Sequence, residues 1–413
     1  MMPQITVSRN DFSRAVAIAG RAIERRITMP ALQCIRVRDG DGCLTFSGTD
    51  LDIQIDHTVP GMGGRLPEGG IAIRDFRHIG QAAKAVSADT IEIGYDENAG
   101  PGMTVNIGRL EFCGVAYPGA EFQAMYTSAS RTKPHWTGTL SEAFLAALKR
   151  VRPAISTDTT RYYLNGVYFE KDAEGNPWAY NLIATDGHRL HRAVVQIPDA
   201  SGQLDATGGI LLPRKLVTLL LDMRPRKDTP AIGLAVHPKH RQNNETATET
   251  LANNSVASVI RFQAGNTVVT GKPIDGTFPD YRRVIPQGRD LRATFDRAEM
   301  MQALKALTAF GGEKADGVLM EFTETEVSLS RSWSECSATL PGVPCKVAGL
   351  PATHSAFCVR FNTWYLVEAL TQFTGCKNVT MAWPHVSVTP ANPCAIGSDE
   401  STDFDVTLMP MRF

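Results

Sequence analysis

Three times along this chain an amphipathic helix is followed by short strands, a second helix and more strands. The first helices open near Ser8, Ser141 and Asp296 and the second near Ile73, Pro213 and Phe361, spacings of 65, 72 and 65 residues. A stretch rich in β-formers follows each second helix, at residues 90–95, 231–237 and 379–383. A period this long describes a whole domain and not a solenoid unit. Three like domains in one chain make an arc, and arcs close into rings by symmetric association.

The 413 residues fit three domains of about 130 residues each. Their expected spans are 1–130, 131–290 and 291–413. Polar linkers at 127–138 and 286–292 separate them. Residues 237–255 are strongly polar and read as a long exposed loop that lengthens the middle repeat. Strand runs interrupted by two helices per domain give an α+β class. Alternation and β-branched runs place strands at 44–47, 53–57, 91–94, 104–107, 168–170, 256–262 and 327–330.

Ser8 is expected to cap the first helix, with Phe12, Ala15, Val16 and Ala19 as its apolar stripe. Asp296 with Glu299 resembles a capping box ahead of a helix over 300–310. In the second helix Arg74, Arg77, Gln81 and Lys84 fall on one face. The formal net charge of −1 hides an asymmetry: the six expected helix spans sum to +7 and the remainder to −8. Basic helices with acidic strands and loops fit one face turned to a polyanion, although Lys and Arg also favour helix surfaces for their own sake.

Chemistry-bearing motifs are few. The run Ala184-Thr185-Asp186-Gly187-His188-Arg189-Leu190 carries a turn signal beside a histidine and an aspartate, which raises a hydrolase acting through Asp186 and His188 as a minor hypothesis. No G-x-S-x-G elbow, Walker loop or H-E-x-x-H accompanies it, so catalysis, a nucleotide cofactor and a metal site are not expected. The eight cysteines form no C-x-x-C pair and are expected to be reduced thiols, mostly small core residues. There is no apolar run of 18 residues and no secretory leader pattern, which points to a cytoplasmic protein without a membrane span. The terminus Leu408-Met409-Pro410-Met411-Arg412-Phe413 suits an adaptable apolar groove for a peptide, or a last strand packed on the third domain.

Taken in order, these segments resemble the bacterial replicative sliding clamp, the beta subunit of DNA polymerase III. The matching residues are 26–32 with Thr49-Asp50-Leu51, then 161–166, 184–190 and 278–286, then Phe361-Asn362 and 408–413. The resemblance implies three repeated clamp-type domains, each with two helices and flanking antiparallel sheets. It implies a head-to-tail homodimer ring whose helices line a central hole. Such a ring is a non-catalytic processivity factor that encircles duplex DNA without sequence preference. It tethers the polymerase III alpha subunit, the clamp loader, other DNA polymerases and repair proteins through short linear motifs. A divergent clamp paralogue, a peptide-binding module that no longer slides, is the alternative.

Carried over residue by residue, the partner-peptide pocket comprises Leu164, Thr185, Gly187, His188, Arg189, Leu190, Pro279, Arg283, Val284, Met409, Pro410, Met411 and Arg412. Its apolar members form a groove, and its arginines are expected to hold a peptide carboxylate or carbonyl at the rim. Arg26, Tyr162 and Tyr163 match positions that meet DNA. Arg77, Lys84, Lys149 and Arg214 join them from the helix faces. Phe112 and Phe310 match the subunit boundary. The chain departs from the family pattern at Gly114, where a larger apolar residue is usual, and at Thr407, which replaces a more apolar one. In 332–346 Glu335 is the sole carboxylate, where the family tends to be acidic.

Overall fold

The computed structural model describes residues 4–24, 29–95, 102–122, 133–172, 176–204, 209–223, 231–238, 257–309, 317–333, 336–350, 355–384 and 392–412. Its α-helices are α1 (Arg9–Ala19), α2 (Phe76–Ala85), α3 (Glu142–Val151), α4 (Arg214–Asp222), α5 (Arg297–Thr308) and α6 (Thr363–Thr371). Every other described regular element is a strand or a short 3-10 turn. Within the described residues, all seven strands expected from the sequence lie inside observed strands.

The second helix of each set opens one to three residues later than expected. The reason is the same each time: a strand runs up to the helix. Ile73, for example, still belongs to a ladder, opposite Ile35 and Ala116. Arg74 therefore stands outside α2 and does not share its helical face. In three places the last strand residue doubles as the N-cap. The Ser8 hydroxyl accepts from the Asp11 amide at 3.5 Å. Asp296 accepts from Ala298 and Glu299 at 2.8 and 3.1 Å, and Asn362 from Tyr365 at 3.0 Å. A short polar side chain at the strand end satisfies amides that the first helical turn leaves open.

The chain divides into two compact units, and the cut runs through the middle repeat and through α4. The first comprises Met1–Glu142, Pro198–Gly208 and Thr218–Pro273. Among the described residues its fourteen strands join in one sheet order. α1 and α2 lie against its core, where Phe12 meets Phe46 edge-on at 5.6 Å. The strand Ile53–Pro60 pairs antiparallel with Thr267–Gly271, and His57 Nδ1 lies 2.8 Å from the Thr267 hydroxyl.

The second unit comprises Ala143–Ile197, Gly209–Val217 and Ile274–Phe413, with a sheet order of twelve strands among its described residues. Its key strand, Arg189–Gln196, is bonded on one side to Ala179–Thr185 and on the other to Ser401–Leu408. Phe322, Phe357 and Trp383 form a buried aromatic cluster with centroids 4.8–5.7 Å apart.

Some expectations need correction. The cysteines are not mostly core: Cys34 and Cys394 are buried, whereas Cys113, Cys336 and Cys358 are exposed. His237 is buried in the strand Ile232–Pro238, because the polar run begins one strand end later than its composition implies. Residues 239–256 lie outside the described residues. Trp136–Leu140 is a strand, so the first linker is shorter than expected at its end. Among the described residues no helix is long and apolar enough to cross a membrane, and no group of three His, Cys, Asp or Glu could hold a metal ion.

Candidate peptide pocket and nucleic-acid interface

Three segments of the second unit bring the expected pocket residues into place. The first is the turn after Ala179–Thr185. Asp186 accepts from the His188 and Arg189 amides at 2.9 and 3.1 Å, closing an Asx-type turn. Thr185 donates its hydroxyl to the Arg189 carbonyl at 2.7 Å. Gly187 has φ +91°, a left-handed backbone that favours glycine, and a Cβ there would also displace the end of the Arg161 side chain. The turn leaves His188 exposed and directs Leu190 inward.

The second is the 3-10 turn Tyr281–Arg283. Leu190, Ile183 and Tyr281 form a buried apolar cluster, with Tyr168, Phe278, Val284 and Ile285 packed on it. Tyr168 and Phe278 stack at 4.9 Å. Pro279 and Arg283 are exposed, and Arg283 is paired with Asp280 at 2.9 Å. The third is the tail. The strand ends at Leu408, after which the Met409 amide donates to the His188 carbonyl at 2.9 Å and the Met411 amide to the Arg360 carbonyl at 2.7 Å. Met409, Pro410 and Met411 are half-buried and Arg412 is exposed. Gly317 leaves room for this tail, since a Cβ there would lie 2.9 Å from the Met411 sulfur. Leu164 is buried at the end of the turn Tyr162–Leu164.

Arg189 differs from the expected rim cation. It is 7% exposed and its guanidinium is fully engaged. Nε meets Asp186 at 3.0 Å, Nη2 donates to the Pro153 carbonyl at 2.6 Å and Nη1 bonds Glu368, while the plane lies over the Tyr365 ring at 4.4 Å. A side chain held by two carboxylates, a carbonyl and a ring is a strut. Arg283, whose side chain is 83% exposed, stays at the surface as the sequence implies.

The cationic residues expected at DNA also separate by environment. Arg77, Lys84 and Lys149 are exposed. Arg77 lies over the Phe76 ring at 4.9 Å and beside α1, near the Ile23 carbonyl. Tyr162 is 54% exposed and meets Tyr163 edge-on at 5.9 Å. Arg214 is half-buried, and its Nη2 donates to the Ile155 and Ser156 carbonyls at 2.7 and 2.6 Å. Burial lowers its pKa from the usual guanidinium value. Arg26 and Phe310 lie outside the described residues. Phe112 is half-buried against the first unit's core.

Two consecutive models of one family match this sequence: the N-terminal domain of the DNA polymerase III beta subunit over residues 3–125, and its central domain over 140–280. The chain belongs to the DNA polymerase III beta-subunit family. This family is a non-catalytic processivity factor, the bacterial sliding clamp. The beta sliding clamp of Caulobacter vibrioides is 26% identical, covering 99% of this chain and all of that protein. The clamp of Escherichia coli K12 is 26% identical over 92% of each chain.

Solved structures agree in fold. A Caulobacter crescentus clamp crystallised with bound polyethylene glycol superposes with a TM-score of 0.82 at 23% identity, covering 100% of this chain and 99% of that one. A Bartonella birtlesii clamp bound to griselimycin gives 0.82 at 24% identity with both chains fully covered. Several residues that hold the three segments escape a reading of the sequence alone. Tyr281, Glu170, Tyr365 and Glu368 support the three segments, yet nothing in their local pattern marks them. Tyr281 does sit inside the segment 278–286 that carries the resemblance, and Tyr365 three residues past the cap Asn362.

Proposed function

We propose that this chain is a DNA polymerase processivity clamp, two copies of which associate head to tail into a ring around duplex DNA. The observation that carries the reading is the convergence of the turn 185–190, the turn 279–284 and the tail 409–412, in a chain whose family is the sliding clamp. The apolar cluster of Leu190, Ile183 and Tyr281, with Val284 packed on it and Arg283 exposed beside it, suits a short extended peptide. Polymerase III alpha subunit, clamp loader, other polymerases and repair proteins are the partners this predicts.

Sliding requires that DNA be held without base readout, and exposed cations on helices supply diffuse attraction to phosphates. Arg77, Lys84 and Lys149, with Tyr162 and Tyr163, are the contacts we assign to DNA; Arg26 is assigned from the resemblance. Arg214 contributes charge from a fixed, half-buried position. Three repeats over 1–130, 131–290 and 291–413, closure through Phe112 and Phe310, and a cytoplasmic location belong to the same reading. The test is fluorescence anisotropy of a labelled Gln-Leu-x-Leu-Phe-type peptide, joined to polymerase processivity on a primed circle. Saturable binding and longer products support the clamp; binding without a gain in product length would leave an interaction module.

A further inference from the structure

The strand Gly166–Lys171 carries a carboxylate that clamp function has not used. Glu170 is 6% exposed and lies opposite Gly209 and Asn181 in the ladders. One oxygen, Oε1, accepts from the Tyr281 hydroxyl at 2.6 Å and from Arg282 Nη2 at 2.6 Å. Arg282 in turn lies over the Tyr281 ring, 4.8 Å from its centroid. Both donors belong to the single turn Tyr281–Arg283. That turn stands between Pro279 and Val284, two expected pocket residues, and includes a third, Arg283.

We propose that Glu170 is a positioning residue for the partner pocket, which it serves by fastening the turn Tyr281–Arg283 to the sheet. The proposal rests on the peptide-pocket reading above. A turn of three residues makes few hydrogen bonds of its own, so its place depends on side-chain anchors. Here the anchor is a buried carboxylate shared between a phenol and a guanidinium, and charge-assisted bonds of this kind are the stronger ones. The sheet accommodates it. A Cβ at Gly209 would come within 2.8 Å of Glu170 Cβ and 2.7 Å of the Tyr168 hydroxyl, so the glycine clears the face on which Tyr168 and Glu170 stand. Burial and the adjacent carboxylate raise the Tyr281 pKa, which keeps its proton in place as a donor. The Tyr281 ring joins Leu190 and Ile183 in the pocket cluster, so the anchor and the groove share one side chain.

Peptide affinity of the full-length protein tests the assignment, with Glu170→Gln, Tyr281→Phe and the double variant. Each single change is expected to weaken the peptide about tenfold, chiefly through faster dissociation, and the double to be little worse than either. Dimer mass by light scattering should stay the same, which a general structural defect would not allow. Tyr281→Phe keeps the ring packing and decides the matter should Glu170→Gln fold poorly. Affinities within twofold of the wild type in both variants would overturn the proposal. If the wild type itself binds no peptide, the pocket reading fails, and hydrogen exchange decides the anchor separately. Faster exchange over residues 281–285 in Tyr281→Phe supports it, and unchanged exchange removes it.

Discussion

The Met409 amide donates to the carbonyl of His188 at 2.9 Å, so the chain's last described segment is tied to the turn that follows Ala179–Thr185. Residues 221 positions apart thereby define one edge of the proposed groove. Deleting 409–413 removes that edge and both main-chain ties of the tail. Saturable anisotropy of the labelled peptide is expected to disappear, while the dimer persists in light scattering.

Gly187 offers a stability test at the same turn. Gly187→Ala places a side chain at φ +91° against Arg161. The expected loss is about 1–2 kcal/mol in urea unfolding, with weaker peptide binding, because His188 and Arg189 hang from this turn.

Arg189→Ala separates a strut from a ligand. Removing the guanidinium strands Asp186 and Glu368, whose side chains are 15% and 27% exposed, so water recovers part of the loss. A drop of about 2 kcal/mol in urea unfolding is expected. A peptide-holding arginine would instead leave stability unchanged and reduce affinity alone.

His191 makes the second unit sensitive to acid. It is fully buried, its Nδ1 donates to the Arg150 carbonyl at 2.9 Å, and burial lowers its pKa to about 4 from 6.5. The unfolded chain binds a proton below pH 6.5 that the folded chain refuses. The contribution is therefore complete above 6.5 and is lost as pH falls toward 4. At pH 5 the difference amounts to about 2 kcal/mol. Urea unfolding of His191→Leu should lose less between pH 7 and pH 5 than the wild type does.

On the DNA side, Arg77→Ala and Lys84→Ala should each weaken binding to a labelled duplex to a similar degree for any sequence. Each should also flatten the slope of log affinity against log salt by about 0.9. Arg214→Ala should instead lower thermal stability, since its guanidinium is spent on the Ile155 and Ser156 carbonyls.

What the sequence made legible was whatever has a local signature. Period and patterning placed six helices to within a few residues, and Ser8 and Asp296 were readable as caps, whereas Asn362 emerges as one only in the structure. Helix openings slipped where apolar residues such as Ile73 serve a strand and a helix equally well, because only the ladder partners Ile35 and Ala116 decide between them. Pocket members came from the order of motifs along the chain. The roles of Arg189 and Glu170 were hidden, since an arginine reads alike whether it faces solvent or two carboxylates. Tertiary neighbours such as Glu368, 179 residues away from Arg189, cast no local shadow. Cysteine burial failed for the same reason: small apolar character does not reveal which strand edge is open.

The strand Arg189–Gln196 is hydrogen-bonded along both sides, and it carries two residues of the proposed pocket at its start. A floor built into such a ladder exists before any visitor arrives. Little free energy is then consumed in shaping it, and competing peptides meet the same template. Partners exchanging on one ring would be ranked chiefly by residence time, so the order in which they leave becomes the order of events at the fork.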